Sequence, residues 1–475
     1  MKRQPTLFEA FSPIIVILLL TSIGFAVLKL PIHTLLIIAS IYSYFIARRV
    51  GLEWDEIMEA ITQKISAAMP ALLILISIGI LIGTWTASGM IPAVIYFGLD
   101  IIKPELFLVI AFIATAIVSI ITGSSWSSAG TIGVAFMGIA TALDISLPIA
   151  AGAVISGAYF GDKLSPLSDT TNLAPLITGV NIFDHIKHML FTTIPASVIA
   201  LIVFFVAGLQ YDVSDSSAIF EVTTSIKENL NELFQWTWWL VIPGAIILYG
   251  SFKKKPVLPI IILSSVVASL IAIFIQGISY QDVFAVTLNG FSVDMLAVDS
   301  SINVSEDITK LLERGGMNSM TNVVLVSLCA LTYAGIISGA NCLEVIVSTL
   351  LKLVKRIGDL ILITVISTVT TALVTANTYL PIIIPGELYK DTYIKYNLHP
   401  KNLSRTLEDS GTVIIPLIPW STSGIFMAET LGVPTLQYLP WAVLCYSGFI
   451  VAIILGYTGI GIEKLDKNKN DLNEI

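Results

Sequence analysis

The sequence predicts an all-α polytopic membrane protein made of two inverted-topology repeats with broken or re-entrant helices, about 10–14 membrane segments in all. Three observations carry that expectation. Of the 475 residues, 55% are hydrophobic and only 12% charged, and the mean hydropathy is +0.88, outside the range of soluble domains of this length. Apolar runs such as Pro13 to Leu28, Pro70 to Ile82, Leu106 to Ile121 and Ile194 to Gly208 have helical length and lack the alternation of a β-barrel. Polar, glycine-rich stretches interrupt such runs at corresponding places in the two halves.

Lys2 and Arg3 precede an apolar run that reaches Phe25-Ala26-Val27-Leu28-Lys29 without a small-x-small cleavage site, so a retained first span is expected. Lysine and arginine clusters mark cytoplasmic span ends. Here they are Lys2/Arg3, Arg48/Arg49, Lys253/Lys254/Lys255, Lys352/Lys355/Arg356 and Lys464/Lys467/Lys469. They predict a cytoplasmic N-terminus, spans at 12–29 and 33–47, and a second unit that enters from outside at 237–250 and crosses outward again at 257–276.

The two units also match in sequence. Gly51-Leu52-Glu53-Trp54-Asp55-Glu56 pairs with Gly277-Ile278-Ser279-Tyr280-Gln281-Asp282, and Thr84 to Gly89 with Thr332 to Gly339. Thr122-Gly123-Ser124-Ser125-Trp126 pairs with Thr375-Ala376-Asn377-Thr378-Tyr379, and Ser165-Pro166-Leu167 with Ile415-Pro416-Leu417. One such pair is easily chance, whereas four in the same order predict a repeat, inverted because the halves enter from opposite sides. The predicted organisation is a first half at 1–208, an external linker at 209–235, a second half at 236–460 and a cytoplasmic tail at 461–475. Gly51 to Lys64 and Gln281 to Phe291 read as short amphipathic interfacial helices, residues 292–320 as an external loop, and Trp236, Trp238 and Trp239 as an interfacial belt.

Other classes find little support. Cys329, Cys342 and Cys445 are scattered through apolar sequence and form no metal-binding or disulfide framework. The net charge of −8 comes largely from Asp212, Asp215, Glu221, Glu228 and Glu232 in a soluble segment, and points to no nucleic-acid partner. No G-x-x-x-x-G-K-[ST] loop is present, against a primary pump. An intramembrane serine hydrolase would need a base for Ser124 or Ser125, and His33, His185, His188 and His399 all lie near predicted span ends. His185 and His188 read as interfacial, or as a modest pH-sensing element. The expectation is a non-enzyme without a cofactor.

The chemistry concentrates in Gly161-Asp162-Lys163-Leu164-Ser165-Pro166-Leu167-Ser168-Asp169-Thr170-Thr171-Asn172, which places three charges within apolar sequence. A charge at mid-bilayer costs about 2.5–3.5 kcal/mol on insertion scales, so such residues line ion pathways or pair with one another. Unwound backbone is tolerated there only inside protein or along a watery cavity. A small hard cation such as Na+ wants several oxygens, one of them anionic. Asp162 and Asp169 supply carboxylates for it, and Ser165, Ser168, Thr170, Thr171 and Asn172 neutral ligands. Ser124 and Ser125 face them from the first break, and Asn377, Thr378 and Asp409 belong to the second half's breaks, which run over Thr375 to Tyr379 and from Glu408 to Thr412 and on to Gly424. Lys163 is the charge partner that neutralises one aspartate when no ion is bound. A carboxylate so placed takes either Na+ or a proton, and that competition suffices for exchange. Blander readings stand beside these: a solvated cytoplasmic loop for the aspartates, close small-residue packing for the serines, and helix capping for Asn377 and Thr378. Lys390, Asp391, Lys395, Lys401 and Arg405 suggest a wet loop just before Glu408 and Asp409.

On Ala158-Tyr159-Phe160-Gly161-Asp162-Lys163-Leu164-Ser165-Pro166-Leu167-Ser168-Asp169-Thr170-Thr171-Asn172 and Gly123-Ser124-Ser125-Trp126, the chain resembles the NhaC family of Na+/H+ antiporters over essentially its whole length. The resemblance implies exchange of cytoplasmic Na+ for external H+ across a bacterial or archaeal inner membrane, in the service of pH homeostasis, with both termini in the cytoplasm. It also implies re-entrant hairpins, elevator-like movement and often a homodimer in the lipid bilayer. The family includes malate/lactate-type exchangers, so a small carboxylate is an alternative partner.

Overall fold

The computed structural model describes residues 3–101, 103–211, 216–253, 255–296, 309 and 312–465. The expected positions Lys2, Asp212, Asp215, Lys254, Lys467 and Lys469, and residues 297–308, 310 and 311 of the loop at 292–320, lie outside the described residues. Helices dominate, and among the described residues the sole β-type pairing is an isolated bridge between Leu398 and Lys464.

The chain begins with α1 (Leu7–Leu19), which widens into a π-helical stretch, Leu20–Val27, and is followed by α2 (Ile32–Val50) and α3 (Trp54–Ala87). Next come α4 (Met90–Ile101), α5 (Phe107–Thr122), the single turn α6 (Ser125–Ser128) and α7 (Val134–Ala142). The first half closes with α8 (Leu147–Leu164), α9 (Asp169–Thr178) and α10 (Ile182–Gly208). After α11 (Ser216–Leu233) and α12 (Ile242–Phe252) follow α13 (Val257–Phe274), α14 (Tyr280–Asn289), α15 (Thr321–Gly339) and α16 (Cys342–Leu351). The last six are α17 (Ile357–Thr375), α18 (Leu380–Lys395), α19 (Lys401–Gly411), α20 (Thr422–Leu431), α21 (Thr435–Tyr438) and α22 (Val443–Thr458). Among the described residues, seven helices are long and apolar enough to cross a membrane, or up to ten if three sharply bent pairs each count as one span.

Two packing groups organise the bundle. In one, α3 packs against α13, α14 and α15, and α15 against α2. The Trp85 indole donates to Ser264 Oγ at 2.9 Å between α3 and α13, and the Tyr333 hydroxyl to the Pro13 carbonyl at 3.1 Å between α15 and α1. The other group joins α5, α8, α10, α17, α19 and α22 around the polar breaks. There, Gly157 and Gly161 are four apart on α8, and an added Cβ would meet the carbonyl oxygens of Phe112 and Ala116 on α5 at 2.3 Å each. This small-x-x-x-small face brings the two backbones together, and Ser119 Oγ then reaches the Ala158 carbonyl at 2.6 Å.

The structure differs from expectation in several places. Gly51 to Lys64 is not a separate interfacial helix, because Trp54–Ala87 is one helix of 34 residues. Pro70 removes one donor without breaking it, whereas the second-half counterpart does stop, at Gly290 with φ +91°. The expected linker at 209–235 contains α11. Glu408 and Asp409 are not in a break but on α19, and the wet loop expected before them is largely α18 and α19, with Arg405 fully buried. His185 and His188 are buried too, bonded to Ser404 and Asn402 on α19, so they are not interfacial. The tail begins as a tied strap: Glu463 O accepts from the His399 backbone N–H at 3.0 Å, and Leu465 N donates to Asn397 O at 3.1 Å.

Candidate functional site

The site forms where two helix breaks meet. Helix α5 stops at Gly123, whose φ of +67° only glycine takes without strain, and an added Cβ would lie 2.6 Å from Leu167 Cβ and 2.9 Å from the Ser168 nitrogen. Ser124 then caps α6, accepting from the Ser127 backbone N–H at 3.2 Å, and the chain continues as a π-helical turn, Ala129–Gly133. Gly123→Ala is therefore expected to destabilise by more than the about 1–2 kcal/mol of the backbone alone. Gly277→Ala, at φ +73° with nothing near its Cβ, is the control. Thermal unfolding of the two variants in detergent compares them, and equal losses would show that the breaks do not press together at Gly123.

The second break is narrower than the motif around it. Helix α8 continues through Asp162 and Lys163 to Leu164, Ser165 is extended, and Ser168 caps α9, which begins at Asp169. Ser165 Oγ donates to the Ile120 carbonyl at 2.7 Å, which pins the break to α5. Thr171 Oγ1 donates to the Asp162 carbonyl at 3.0 Å, and Asn172 Nδ2 to the Pro166 carbonyl at 2.9 Å. These hydroxyl and amide groups satisfy backbone that the break leaves open.

Asp162 and Asp169 have different surroundings. Asp162 is 5% exposed; Oδ2 accepts from Ser125 Oγ at 2.7 Å, and Oδ1 has no protein partner. Asp169 is exposed, with Oδ2 accepting from the Tyr379 hydroxyl at 2.6 Å and Oδ1 from the Thr170 backbone N–H at 2.9 Å. Both border a cavity of about 520 Å³, together with Ser124, Ser125, Thr170, Asn172, Asn377 and Thr378. Tyr159, Tyr379, Thr412, Thr422, Ser423 and Lys255 line it as well.

The second half's break closes the cavity. Helix α17 ends at Ala376 in a left-handed conformation, φ +50°. Asn377 Oδ1 then accepts from the backbone N–H groups of Tyr379 and Leu380 at 2.8 and 3.1 Å, a capping role. The Trp126 indole donates to Ser423 Oγ at 3.1 Å and stacks on Phe426, with centroids 4.7 Å apart, so the breaks of the two halves are tied directly.

Behind the cavity lies a charged core. Lys163 Nζ pairs with Asp409 Oδ1, which also accepts from Thr192 Oγ1 at 3.0 Å. The side chains of Lys163 and Asp409 are 2% and 0% exposed. Successive helical residues point about 100° apart, so Asp162 faces the cavity while Lys163 faces α19 and α10. Lys163 thus pairs with Asp409 rather than with Asp162 or Asp169, and Asp409 does not border the cavity. Arg405, also buried, donates to the Gly461 carbonyl at 2.9 Å. The sequence marks Glu408 as the start of the second half's break but singles out Asp409 there; Glu408 is fully buried, with no well-formed hydrogen bond to either carboxylate oxygen. Tyr379 could have been found from the Asn377-Thr378-Tyr379 break, and Ser423 from the Trp420 to Gly424 stretch.

A bundle of membrane-length helices whose broken segments meet at a buried carboxylate beside a polar cavity defines a membrane transporter. The chain belongs to the Na+/H+ antiporter family, whose model matches residues 157–460. It is 50% identical to a Haemophilus influenzae protein named as an uncharacterized Na+/H+ antiporter, over 98% of both chains. It is 38% identical to the Na+/H+ antiporter NhaC of Alkalihalophilus pseudofirmus, over 92% of this chain and 91% of the relative. A malate-2H+/Na+-lactate antiporter of Bacillus subtilis is 36% identical over 96% of each.

Proposed function

We propose that this chain is a secondary active transporter that exchanges Na+ for H+ across the cytoplasmic membrane of a bacterium or archaeon, by alternating access at a carboxylate that both ions share. One observation carries the reading: Asp162 is buried in the wall of a cavity of about 520 Å³, with one oxygen fixed by Ser125 and the other unpartnered. Charged and empty, that carboxylate is costly at membrane depth. Na+ or a proton removes the cost, so the group around it crosses only when one of them is bound. In this reading Na+ and H+ are cargo, and no cofactor takes part.

Ser125 holds Asp162, while Ser124, Thr170, Asn172 and Thr378 offer neutral oxygens along the cavity. Ser165, Ser168, Thr171 and Asn377 act one step back, holding the breaks in shape. Asp169 attracts the cation at the mouth, and the Lys163–Asp409 pair keeps the core neutral. The group built on α5, α8, α10, α17, α19 and α22 is the moving part, the group around α3 and α15 the scaffold, and a homodimer would brace that scaffold. The like order of breaks, each with a left-handed residue at Gly123 or Ala376, supports the inverted repeat.

Both termini are assigned to the cytoplasm. Lys255 belongs to a cytoplasmic cluster and lines the cavity, so the cavity opens inward. Labelling of introduced cysteines on intact cells is expected to leave positions 48, 254 and 355 protected and position 221 reactive. Reaction at 254 from outside would overturn the orientation and with it the inverted repeat.

The function is tested with purified protein in sealed vesicles that carry an internal pH dye. An external Na+ pulse is expected to alkalinise the interior. The cavity is larger than a bare ion needs, which favours a second reading as an exchanger of small organic acids. Alkalinisation only when malate or lactate is also present would select it; no response to any cation or acid would sink both.

A further inference from the structure

Glu408 sits on α19 one residue before the Asp409 that pairs with Lys163, so it faces about 100° around the helix from that pair; like Asp409 it lies behind the residues that border the cavity. It is fully buried, yet neither carboxylate oxygen has a hydrogen-bond partner. The hydroxyls of Thr412 and Thr170 stand near it without forming a hydrogen bond of good geometry, and the charges of Asp162 and Lys163 act on it from further off. Thr412 stands four residues further along, 1% exposed, with its Oγ1 also unpartnered, and both Thr170 and Thr412 line the cavity. Asp162 Oδ1, Glu408 Oε1 and Oε2, and Thr412 Oγ1 are thus all buried without a well-formed hydrogen bond, with Thr412 beside Glu408 and the charges of Glu408 and Asp162 felt by each other.

Buried polar atoms are ordinarily paired, and an ionised carboxylate without partners is among the most expensive groups to bury. Lys163 gives its hydrogen bond to Asp409, so it acts on Glu408 only through its charge and leaves both carboxylate oxygens without a donor from it. A hard monovalent cation seeks anionic and hydroxyl oxygens converging from different helices, and α8 and α19 present them here. Asp169, exposed and bonded to Tyr379, presents no such atom.

We propose that Glu408 is the second carboxylate of the cation site, across from Asp162, with the Thr412 hydroxyl as a neutral ligand. The proposal rests on the antiport reading and names where in that site the ion sits. When the site is protonated, one entering Na+ displaces the proton of each carboxylate: two neutral carboxyl groups and Na+ become two carboxylates holding Na+, and two protons leave. With two protons exchanged for one Na+, each cycle moves one net positive charge.

The test is a Na+ titration of the purified protein in weakly buffered detergent with a pH dye, at the acidic end of its working range. Wild type is expected to release two protons per Na+ bound. Glu408→Gln, which keeps the shape and removes a buried charge, should release one and need at least about tenfold more Na+ for half-saturation, since even outer-shell partners of metal sites cost about 10–100-fold. Thr412→Val should raise half-saturating Na+ several-fold with the count still at two, a result that a purely structural threonine would not give. An unchanged count or unchanged Na+ affinity in Glu408→Gln, or unchanged affinity in Thr412→Val, overturns the assignment. A wild type that releases no protons on Na+ addition would instead overturn the antiport reading itself.

Discussion

Replacing Asp162 with asparagine is expected to abolish Na+-driven proton movement, a loss of about a thousandfold or more, within the about 10²–10⁴-fold that positioned proton-transfer groups supply plus the loss of the anionic ligand. Asparagine keeps the shape of the side chain and can still accept the Ser125 hydroxyl, so insertion and folding should survive. What disappears is the charge that holds Na+ and the group that takes up the proton. Asp169→Asn should behave differently, although the sequence puts both aspartates in one motif. Asp169 is exposed and anchored by Tyr379 and the Thr170 backbone N–H. Its loss should raise half-saturating Na+ several-fold, by an amount that shrinks as ionic strength rises. Vesicle assays on both variants make the comparison; wild-type antiport by Asp162→Asn would remove that residue from the site.

Lys163→Met is expected to cost about 3 kcal/mol or more, because it leaves Asp409 as a buried charge with only the Thr192 hydroxyl as hydrogen-bond donor and the charge of buried Arg405, one turn back, as partial compensation. The double variant Lys163→Met, Asp409→Leu should recover most of that loss, since an apolar pair of similar volume often replaces a buried ion pair at little cost. Thermal unfolding of the single and double variants reads this as a cycle. A single variant that melts at the wild-type temperature would show that Lys163 and Asp409 are not an ion pair in the folded protein.

Part of this site was legible in the sequence. Gly123, and Pro166 between Ser165 and Ser168, mark the two breaks of the first half, because glycine releases a helix end and proline cannot sit inside one without losing a bond. The charged motif inside apolar sequence marks the site for the energetic reason that charges at membrane depth need a use. Which charge does what was not legible. Asp162 and Lys163 are neighbours in sequence and face different partners only because α8 stays helical through both. Glu408 and Asp409 divide in the same way on α19, and the basic residues before them read as a wet loop until α10 and α17 are seen packed against that helix. Likewise Trp54 to Ala87 reads as two elements by composition, with the polar start and apolar end of a single helix meeting at Pro70.

Competition of Na+ and H+ for one buried carboxylate site is decided by a Na+ titration of antiport at several pH values. Over the acidic range the half-saturating Na+ concentration should rise about tenfold per pH unit for each proton displaced, up to about a hundredfold if Asp162 and Glu408 both give one up, with little change in maximal rate. Toward alkaline pH, Na+ affinity should level off and turnover fall as the return step runs short of protons. A half-saturating Na+ concentration that stays constant while only the maximal rate changes with pH would contradict the shared site, and would place proton control elsewhere, with buried His185 and His188 the first residues to substitute.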